Sequence, residues 1–444
     1  MAQDWLTQTA SDLGRGIGAG RIDPVDLTEC YLDAIKDSKL TPRIYARTTA
    51  RRARPEAAAA AKRAAAGDRL SLLDGVPVSW KDLFDTAGVA TESGSALLKG
   101  RVPDNDAEVL QTATRAGLVC IGKTHMSELA FSGLGLNPIT ETPPCVNNAD
   151  AVPGGSSSGA AASVAFGLAA AGIGSDTGGS VRIPSAWNDL VGLKTTAGLL
   201  SLKGVVPLAA RFDSIGPLCR SVEDASHLLA ALAGTKPADL SGADLTGRRF
   251  LICRTTAFDD IEGQPEQAFS AAVGRLAAAG AHIEEHEVPE VAGAMPLSAC
   301  LYTVEAYAHW KDTIEARPEL MYEEILKRFR SGANFSGVDY AEAWHALDAL
   351  REAYLKRTAG YDAVLLPTAP ILPPIADRLL TDHDYYTRAN LLALRNTRIG
   401  NLMGLASLTL PTGVPSCGLM LMTPPRTETR LLRLGAAIEP VLRG

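Results

Sequence analysis

Hydroxyl groups and unshielded backbone amides lie close together in the sequence segment 153–184. The segment contains two glycine-lined turns, GGSSSG at 154–159 and GGS at 178–180, and both turns carry serine. Because glycine has no side chain, a substrate oxygen can approach the N–H groups of such a turn closely. Serine hydroxyls beside N–H donors are what acyl transfer requires, so the segment predicts an acyl-transfer site.

A serine hydroxyl is a weak nucleophile until a base within hydrogen-bond reach takes its proton. Lys81 is the candidate base, since it directly follows the apolar, strand-like residues 76–80. Burial there would lower the pKa of the lysine from about 10.4 towards neutrality, and a neutral amine can accept a proton. The alternative interpretation is that Lys81 is solvated at a strand end and that the serines only cap the following helix.

Three motifs together resemble the signature of the amidase signature family: GVPVSWKD at 75–82, GGSSSG at 154–159 and GSDTGGSVRIP at 174–184. The likeness extends to GKTHMSELA at 122–130, FDSIGPL at 212–218 and DAVLLPTAP at 362–370. Members of this family use a Ser-cisSer-Lys triad, and the matching positions here are Lys81, Ser156 and Ser180. The resemblance also implies a cis peptide between Gly155 and Ser156.

The resemblance implies a proton relay that ends at the nucleophile. Lys81 would deprotonate Ser156, and Ser156 would deprotonate Ser180. Ser180 would then attack the carbonyl carbon and form an acyl-enzyme that water cleaves. The oxyanion would be held by the backbone amides of Thr177, Gly178, Gly179 and Ser180. The expected supporting residues are Ser157, Asp176 and Arg182, the last two as a buried ion pair or hydrogen-bonded brace.

Three other catalytic motifs overlap this region, and the context of each disfavours it. Residues 155–159 fit the G-x-S-x-G elbow, but the elbow requires a preceding strand, whereas 147–153 is loop-like. Asp176 begins an Asp-Thr-Gly triplet, but an aspartic protease needs a second copy of it. Neither glycine turn continues into Lys-Ser or Lys-Thr, so a phosphate-binding loop is disfavoured.

The 444-residue chain is 46% hydrophobic and 21% charged, which is enough apolar sequence to bury a large core. Its net charge of −7 disfavours nucleic-acid binding. The cysteines are scattered singly and the histidines form no metal motif, so we expect neither a metal nor another cofactor. Without a secretory leader or a membrane-length apolar stretch, we expect a cytoplasmic protein that binds a small-molecule amide, as a monomer or a homodimer.

Helix and strand signals alternate, which indicates an α/β fold in which helices flank a central mixed β-sheet. We expect one large domain over 1–444. Within it, a helical segment at about 292–357 would wall a substrate funnel, as the family resemblance implies. The expected strands are 76–80, 118–121, 250–253 and 363–366. The expected helices are 25–36, 57–66, 107–115, 160–171, 266–279 and 429–442.

The substrate is not defined by these motifs, and two kinds of enzyme remain. We expect an amidohydrolase that acts alone on a small carboxamide and yields a carboxylate with ammonia or an amine. The alternative is the amidase-like subunit of a glutamine-dependent Glu-tRNA(Gln) amidotransferase, in which an acidic residue holds the glutamine amino group. The matching position here is Leu394, which counts against that role. A third and less favoured alternative is a non-catalytic scaffold with the same fold.

Three arginines are candidates for binding a substrate carboxylate, because a guanidinium can hold one through two hydrogen bonds. They are Arg328, Arg395 and Arg398. For any one of them, a surface or structural salt bridge is the favoured interpretation. Arg328 and Arg398 are kept as the substrate-binding candidates.

Overall fold

The computed structural model describes residues 2–443, in which helices and strands alternate. The strands are β1 Tyr45–Thr48, β2 Pro77–Lys81, β3 Val119–Thr124, β4 Ala171–Asp176, β5 Val191–Lys194, β6 Ser214–Cys219, β7 Arg249–Cys253, β8 His282–His286, β9 Ala363–Pro367, β10 Ala406–Pro411 and β11 Gly418–Thr423. The α-helices are α1 Ala2–Trp5, α2 Ala10–Gly18, α3 Pro24–Asp37, α4 Thr41–Ile44, α5 Ala50–Ala66, α6 Glu108–Arg115, α7 Ser158–Ala165, α8 Arg182–Trp187, α9 Val222–Ala233, α10 Gly263–Ala278, α11 Pro289–Ala294, α12 Leu297–Ala316, α13 Glu323–Arg330, α14 Gly337–Thr358, α15 Ala376–Thr381, α16 His383–Leu402 and α17 Glu428–Arg443. Short 3₁₀ turns cover Ala96–Leu98, Glu128–Ala130, Pro318–Leu320 and Ser331–Asn334.

All of these strands belong to one sheet, in the order β1-β3-β2-β4-β6-β5-β10-β11-β9-β7-β8. Strand β2 runs parallel to β3 and β4, and β7 runs parallel to β8 and β9. The other neighbours are antiparallel. The predicted α/β fold with a central mixed sheet is therefore confirmed.

Strands β2 and β4 bring Lys81 and the second glycine turn to the same edge of the sheet. Their register pairs Val78 with Ala171 and Trp80 with Ile173. Both strands are buried along their whole length, which explains why β2 has no polar alternation in the sequence. Because parallel strands end at the same edge, Lys81 at the end of β2 lies beside the end of β4.

Helix α3 shows why several sequence-based predictions hold. Asp23 caps its N-terminus by accepting a hydrogen bond from the amide of Val25, and Pro24 occupies the first turn. Its buried face includes Leu27, Tyr31 and Ile35 at helical spacing. The helix predicted over 25–36 is thus confirmed. The other predicted strands and helices are also confirmed, with ends shifted by a few residues, except the helix predicted at 160–171. Helix α5 begins much earlier than predicted, at Ala50.

The predicted helix over 160–171 is wrong. Helix α7 ends at Ala165, and Ala171 already begins β4. Gly167 ends the helix in the left-handed region, at a φ of 71°, and the amide of Leu168 donates back to the carbonyl of Ser163. The helix and the strand are both almost wholly buried, so no polar residues separate them and the apolar run continues across the boundary.

The segment predicted to be helical at about 292–357 is helical, and it comprises the end of α11 together with α12, α13, α14 and two 3₁₀ turns. Its longest helix, α14, starts with a capping box in which Ser336 and Asp339 bond to each other's backbone amides. Five of the segment's aromatic side chains are buried in the core: Tyr302, Trp310, Phe329, Trp344 and Tyr354. Tyr302 also lines the two cavities beside the candidate site.

Across residues 2–443, no helix has the length and apolar character needed to cross a membrane. The same residues include no group of three or more histidine, cysteine or acidic side chains placed to hold a metal ion.

Candidate active site

Lys81 is the fully buried last residue of β2. Its Nζ donates hydrogen bonds to Ser156 Oγ at 2.7 Å and to Ser175 Oγ at 2.9 Å. Burial lowers the pKa of Lys81 to about 7, although the carboxylates of Asp176 and Asp213 act to raise it. A large fraction of this amine is therefore neutral near pH 7 and can accept a proton from Ser156.

The first glycine turn holds Ser156 against Lys81. The peptide between Gly155 and Ser156 is cis, as the family resemblance implied. The amides of Gly154 and Gly155 donate to the carbonyls of Leu134 and Gly133 at 3.0 and 2.8 Å. A Cβ added to Gly155 would lie 2.6 Å from the amide nitrogen of Gly135, so the close approach of the two chains requires glycine there.

Ser157 connects the two turns. Its amide donates to the carbonyl of Ser180 at 3.2 Å, and its Oγ donates to the carbonyl of Ser175 at 3.2 Å. Both contacts are to backbone, which fits the expected supporting role. Ser158 begins α7, and its Oγ donates to the carbonyl of His125 at 3.3 Å, away from the relay.

Asp176 and Arg182 form the buried brace expected for the second turn. Arg182 donates to the Asp176 carboxylate through Nε at 3.0 Å and through Nη2 at 2.9 Å. Asn401 Nδ2 also donates to Asp176, and the amide of Val181 donates to its other oxygen. Burial alone would raise the pKa of Asp176, but the guanidinium of Arg182 holds it well below its usual range. The carboxylate is therefore ionised and fixes the turn that carries Ser180.

The brace changes the expected set of oxyanion donors. The amide of Gly179 donates to Asp176 Oδ1 at 2.9 Å, so in this structure it is engaged by the carboxylate. Among the described residues, none accepts a hydrogen bond from the amides of Gly178 and Ser180. The amide of Thr177 likewise has no acceptor among these residues, so the proposed oxyanion hole depends on the amides of Thr177, Gly178 and Ser180. Gly179 has a φ of 143°, and a Cβ there would lie 2.1 Å from Thr397 Oγ1.

Two further residues belong to the site and were not predicted. Ser175 is the second acceptor for Lys81, and it lies in the motif GSDTGGSVRIP at 174–184, where the sequence analysis assigned it no role. Asp213 accepts a hydrogen bond from Thr177 Oγ1 and others from the amides of Leu208 and Ala209. It lies in FDSIGPL at 212–218, a motif that the sequence comparison noted without assigning it a role.

Two neighbouring cavities lie at the candidate site, and the smaller one is lined by Ser180. The inner chamber has a volume of about 20 Å³ and is lined by the second turn. Its lining residues include Thr177, Gly178, Ser180, Phe131, Leu208 and Leu394. The outer cavity, about 350 Å³, lies between α12, α13 and α16. Tyr302, Arg328 and Arg398 line both cavities, so these three side chains form the boundary between them.

The three candidate arginines occupy different surroundings. Arg395 donates to the backbone carbonyls of Ala257 and Asp259, which is a structural role outside both cavities. Arg398 is buried and Arg328 is half-buried, and neither forms the salt bridge that the sequence analysis favoured; within residues 2–443 no carboxylate lies within ion-pair distance of them. Arg328 lies over the ring of Phe131, with its Cζ atom 4.4 Å from the ring centre.

Arg182→Met should lower the free energy of unfolding by about 3–5 kcal/mol, because it leaves the buried Asp176 carboxylate without its cation. The matched control is Arg254→Met, which removes an ion pair to Glu285 whose side chains are 40% and 47% exposed. The control should cost less than about 1 kcal/mol. Urea unfolding of both variants measures the difference. Equal, small losses would contradict the bracing role of Arg182.

Residues 26–432 match the sequence profile of the Amidase family. A 2-amino-5-chloromuconic acid deaminase from Comamonas testosteroni is 34% identical over 419 residues, which cover 91% of this chain and 90% of that protein. A glutamyl-tRNA(Gln) amidotransferase subunit from Desulforamulus reducens is 29% identical over 98% of this chain and 97% of its own. A solved structure described as an amidase superposes with a TM-score of 0.88 at 28% identity, covering 98% of this chain and 99% of its own.

Proposed function

The chain belongs to the Amidase family, and on that basis we propose that it hydrolyses the C–N bond of a small carboxamide through an acyl-enzyme on Ser180. The observation that carries the proposal is the 2.7 Å hydrogen bond from Lys81 Nζ to Ser156 Oγ, beside the turn that holds Ser180. A buried amine with a pKa of about 7 is suited to accept a proton at neutral pH. The products are a carboxylate and ammonia or an amine.

In the proposed first half-reaction, Ser180 Oγ bonds to the amide carbon as its proton passes to Ser156 Oγ, while the proton of Ser156 passes to Lys81 Nζ. The tetrahedral intermediate then breaks its C–N bond, and the leaving nitrogen takes a proton from the relay. Water attacks the resulting ester along the same path, so Lys81 accepts a proton again and Ser180 is released. No proton is gained or lost by the protein over the cycle.

The developing oxyanion would lie at the second turn. Of the predicted donors, the amides of Thr177, Gly178 and Ser180 are those that no described residue already engages. Each such donor typically contributes about 3 kcal/mol to stabilising the transition state. Asp176 supports them indirectly, because it fixes the backbone on both sides through Gly179 and Val181.

The amidase-like subunit of a Glu-tRNA(Gln) amidotransferase is the second candidate, since relatives named as such a component match almost the whole chain. Leu394 counts against it, because this apolar side chain lines the inner chamber where the resemblance implies an acidic residue. A non-catalytic scaffold is a third alternative, and it gives no reason for Lys81 to be buried against Ser156. The relative named as a deaminase of 2-amino-5-chloromuconic acid favours a reaction that releases ammonia.

Ammonia release by the purified single chain tests the proposal. The panel contains aliphatic amides, aromatic amides, dicarboxylic acid monoamides and glutamine, with Ser180→Ala as the control. Turnover of at least one small amide by the chain alone, absent from the control, is the expected result. Glutamine hydrolysis that requires added partner proteins would support the amidotransferase instead. Turnover that persists in Ser180→Ala would contradict the proposed nucleophile.

A further inference from the structure

Two positive charges at the boundary of the cavities have no acidic partner. Among residues 2–443, the only side-chain hydrogen bond from Arg398 is a long one, 3.4 Å, from Nη1 to Ser298 Oγ. The Nη1 atom of Arg328 is enclosed and has no hydrogen-bond partner in the same residues. The hydroxyl of Tyr302 is also enclosed and unpartnered there. Two donors on residues that line the cavities therefore have no acceptor, and a third, on Arg398, has only this long contact.

This arrangement is costly for the protein alone. Burial lowers the pKa of Arg328 to about 10, and the nearby charge of Arg398 acts in the same direction. Burial likewise lowers the pKa of Arg398. Elsewhere in the fold a buried guanidinium is compensated, as Arg182 is by Asp176. Cations that are largely removed from solvent are normally paired, so a buried Arg398 and a half-buried Arg328 that line a cavity without an acidic partner indicate an anion supplied by a ligand.

We propose that Arg328, Arg398 and Tyr302 bind a carboxylate of the substrate, and that the substrates are small amides carrying such a group. The proposal rests on the function proposed above, since all three residues share the inner chamber with Ser180. We restrict the proposal to primary amides, which release ammonia, and in a primary amide the carboxylate can belong only to the acyl part. The substrate class is therefore the monoamides of short dicarboxylic acids.

A matched pair of substrates isolates the effect of the carboxylate. Succinamate and butyramide differ in having a carboxylate or a methyl group at the end of the same acyl chain. The wild type should prefer succinamate in kcat/KM by about 10- to 100-fold, the factor typical of charge-assisted hydrogen bonds. Equal rates on the two amides, or a preference for butyramide, would overturn the proposal while leaving amide hydrolysis established.

Variants assign the preference to these side chains. Arg328→Gln and Arg398→Gln should each lower kcat/KM for succinamate about 10- to 100-fold and change that for butyramide only a few-fold. The control is Arg388→Gln, which alters an exposed arginine on the same helix as Arg398 and should leave both values unchanged. A succinamate preference that survives both cavity variants would contradict the assignment.

Binding without turnover separates this proposal from the proposed chemistry. Calorimetry with Ser180→Ala should detect succinamate at concentrations where butyramide gives no signal, and adding Arg398→Gln should weaken that binding about 10- to 100-fold. This result would support the carboxylate site even if no amide were hydrolysed. If Ser180→Ala binds the two amides equally, the carboxylate site is contradicted, whatever the hydrolysis assay shows.

Discussion

Ser180→Ala should lower kcat by about 10⁴-fold or more, the loss seen when other serine hydrolases lose their nucleophile. The expected loss is large because the variant lacks the hydroxyl that Lys81 and Ser156 would deprotonate for the attack. The remaining rate would come from substrate binding and from the free amides of the second turn. Ammonia release under saturating substrate measures the loss.

The control for this variant is Ser185→Ala. Ser185 is buried in α8, only a few residues beyond the nucleophile, and its Oγ has no hydrogen-bond partner among the described residues. Its removal should leave kcat within a few-fold of wild type and the fold intact. Near-normal turnover by Ser180→Ala would show that the acyl group is not carried by this residue.

Lys81→Met should lower kcat/KM by about 10³- to 10⁴-fold and remove the acidic limb of the pH profile. The base must be neutral to accept a proton, and the pKa of Lys81 is about 7. In the wild type, kcat/KM should therefore be constant above about pH 7 and fall tenfold per unit below it. Methionine preserves most of the buried volume, so the change chiefly removes the amine.

Lys194 is another buried amine that could produce the same pH profile. It too is buried with a pKa lowered to about 7, but its Nζ donates to the carbonyls of Thr195 and Leu405 rather than to a hydroxyl. Lys194→Met should lower stability yet keep the midpoint of the profile near pH 7. If the midpoint moved in Lys194→Met and stayed in Lys81→Met, the assignment of the base would be wrong.

The candidate site could be predicted best at positions where packing or chemistry allows only one type of residue. Gly155 stands where another backbone approaches too closely for a Cβ, and Lys81 ends an apolar strand, so both features are visible in the sequence. The sequence could not show which acceptor each amide meets. The engagement of Gly179 with Asp176, for example, depends on the path of the chain around Arg182.

Contacts between segments that are far apart in the sequence could not be predicted from it either. Arg328 and Arg398 lie on α13 and α16, and each alone resembles an ordinary surface or salt-bridged arginine. Only the packing of these helices shows that no acid among the described residues reaches them. The boundary between α7 and β4 was missed for a related reason, because a buried helix followed by a buried strand leaves a continuous apolar run.

The most direct test of the central claim is to label the wild type with a fluorophosphonate and map the adduct by peptide mass spectrometry. Our account predicts a single adduct on Ser180, formed much more slowly in Lys81→Met and absent from Ser180→Ala. An adduct on Ser156, Ser157 or Ser158, or an active protein that takes no label, would contradict it.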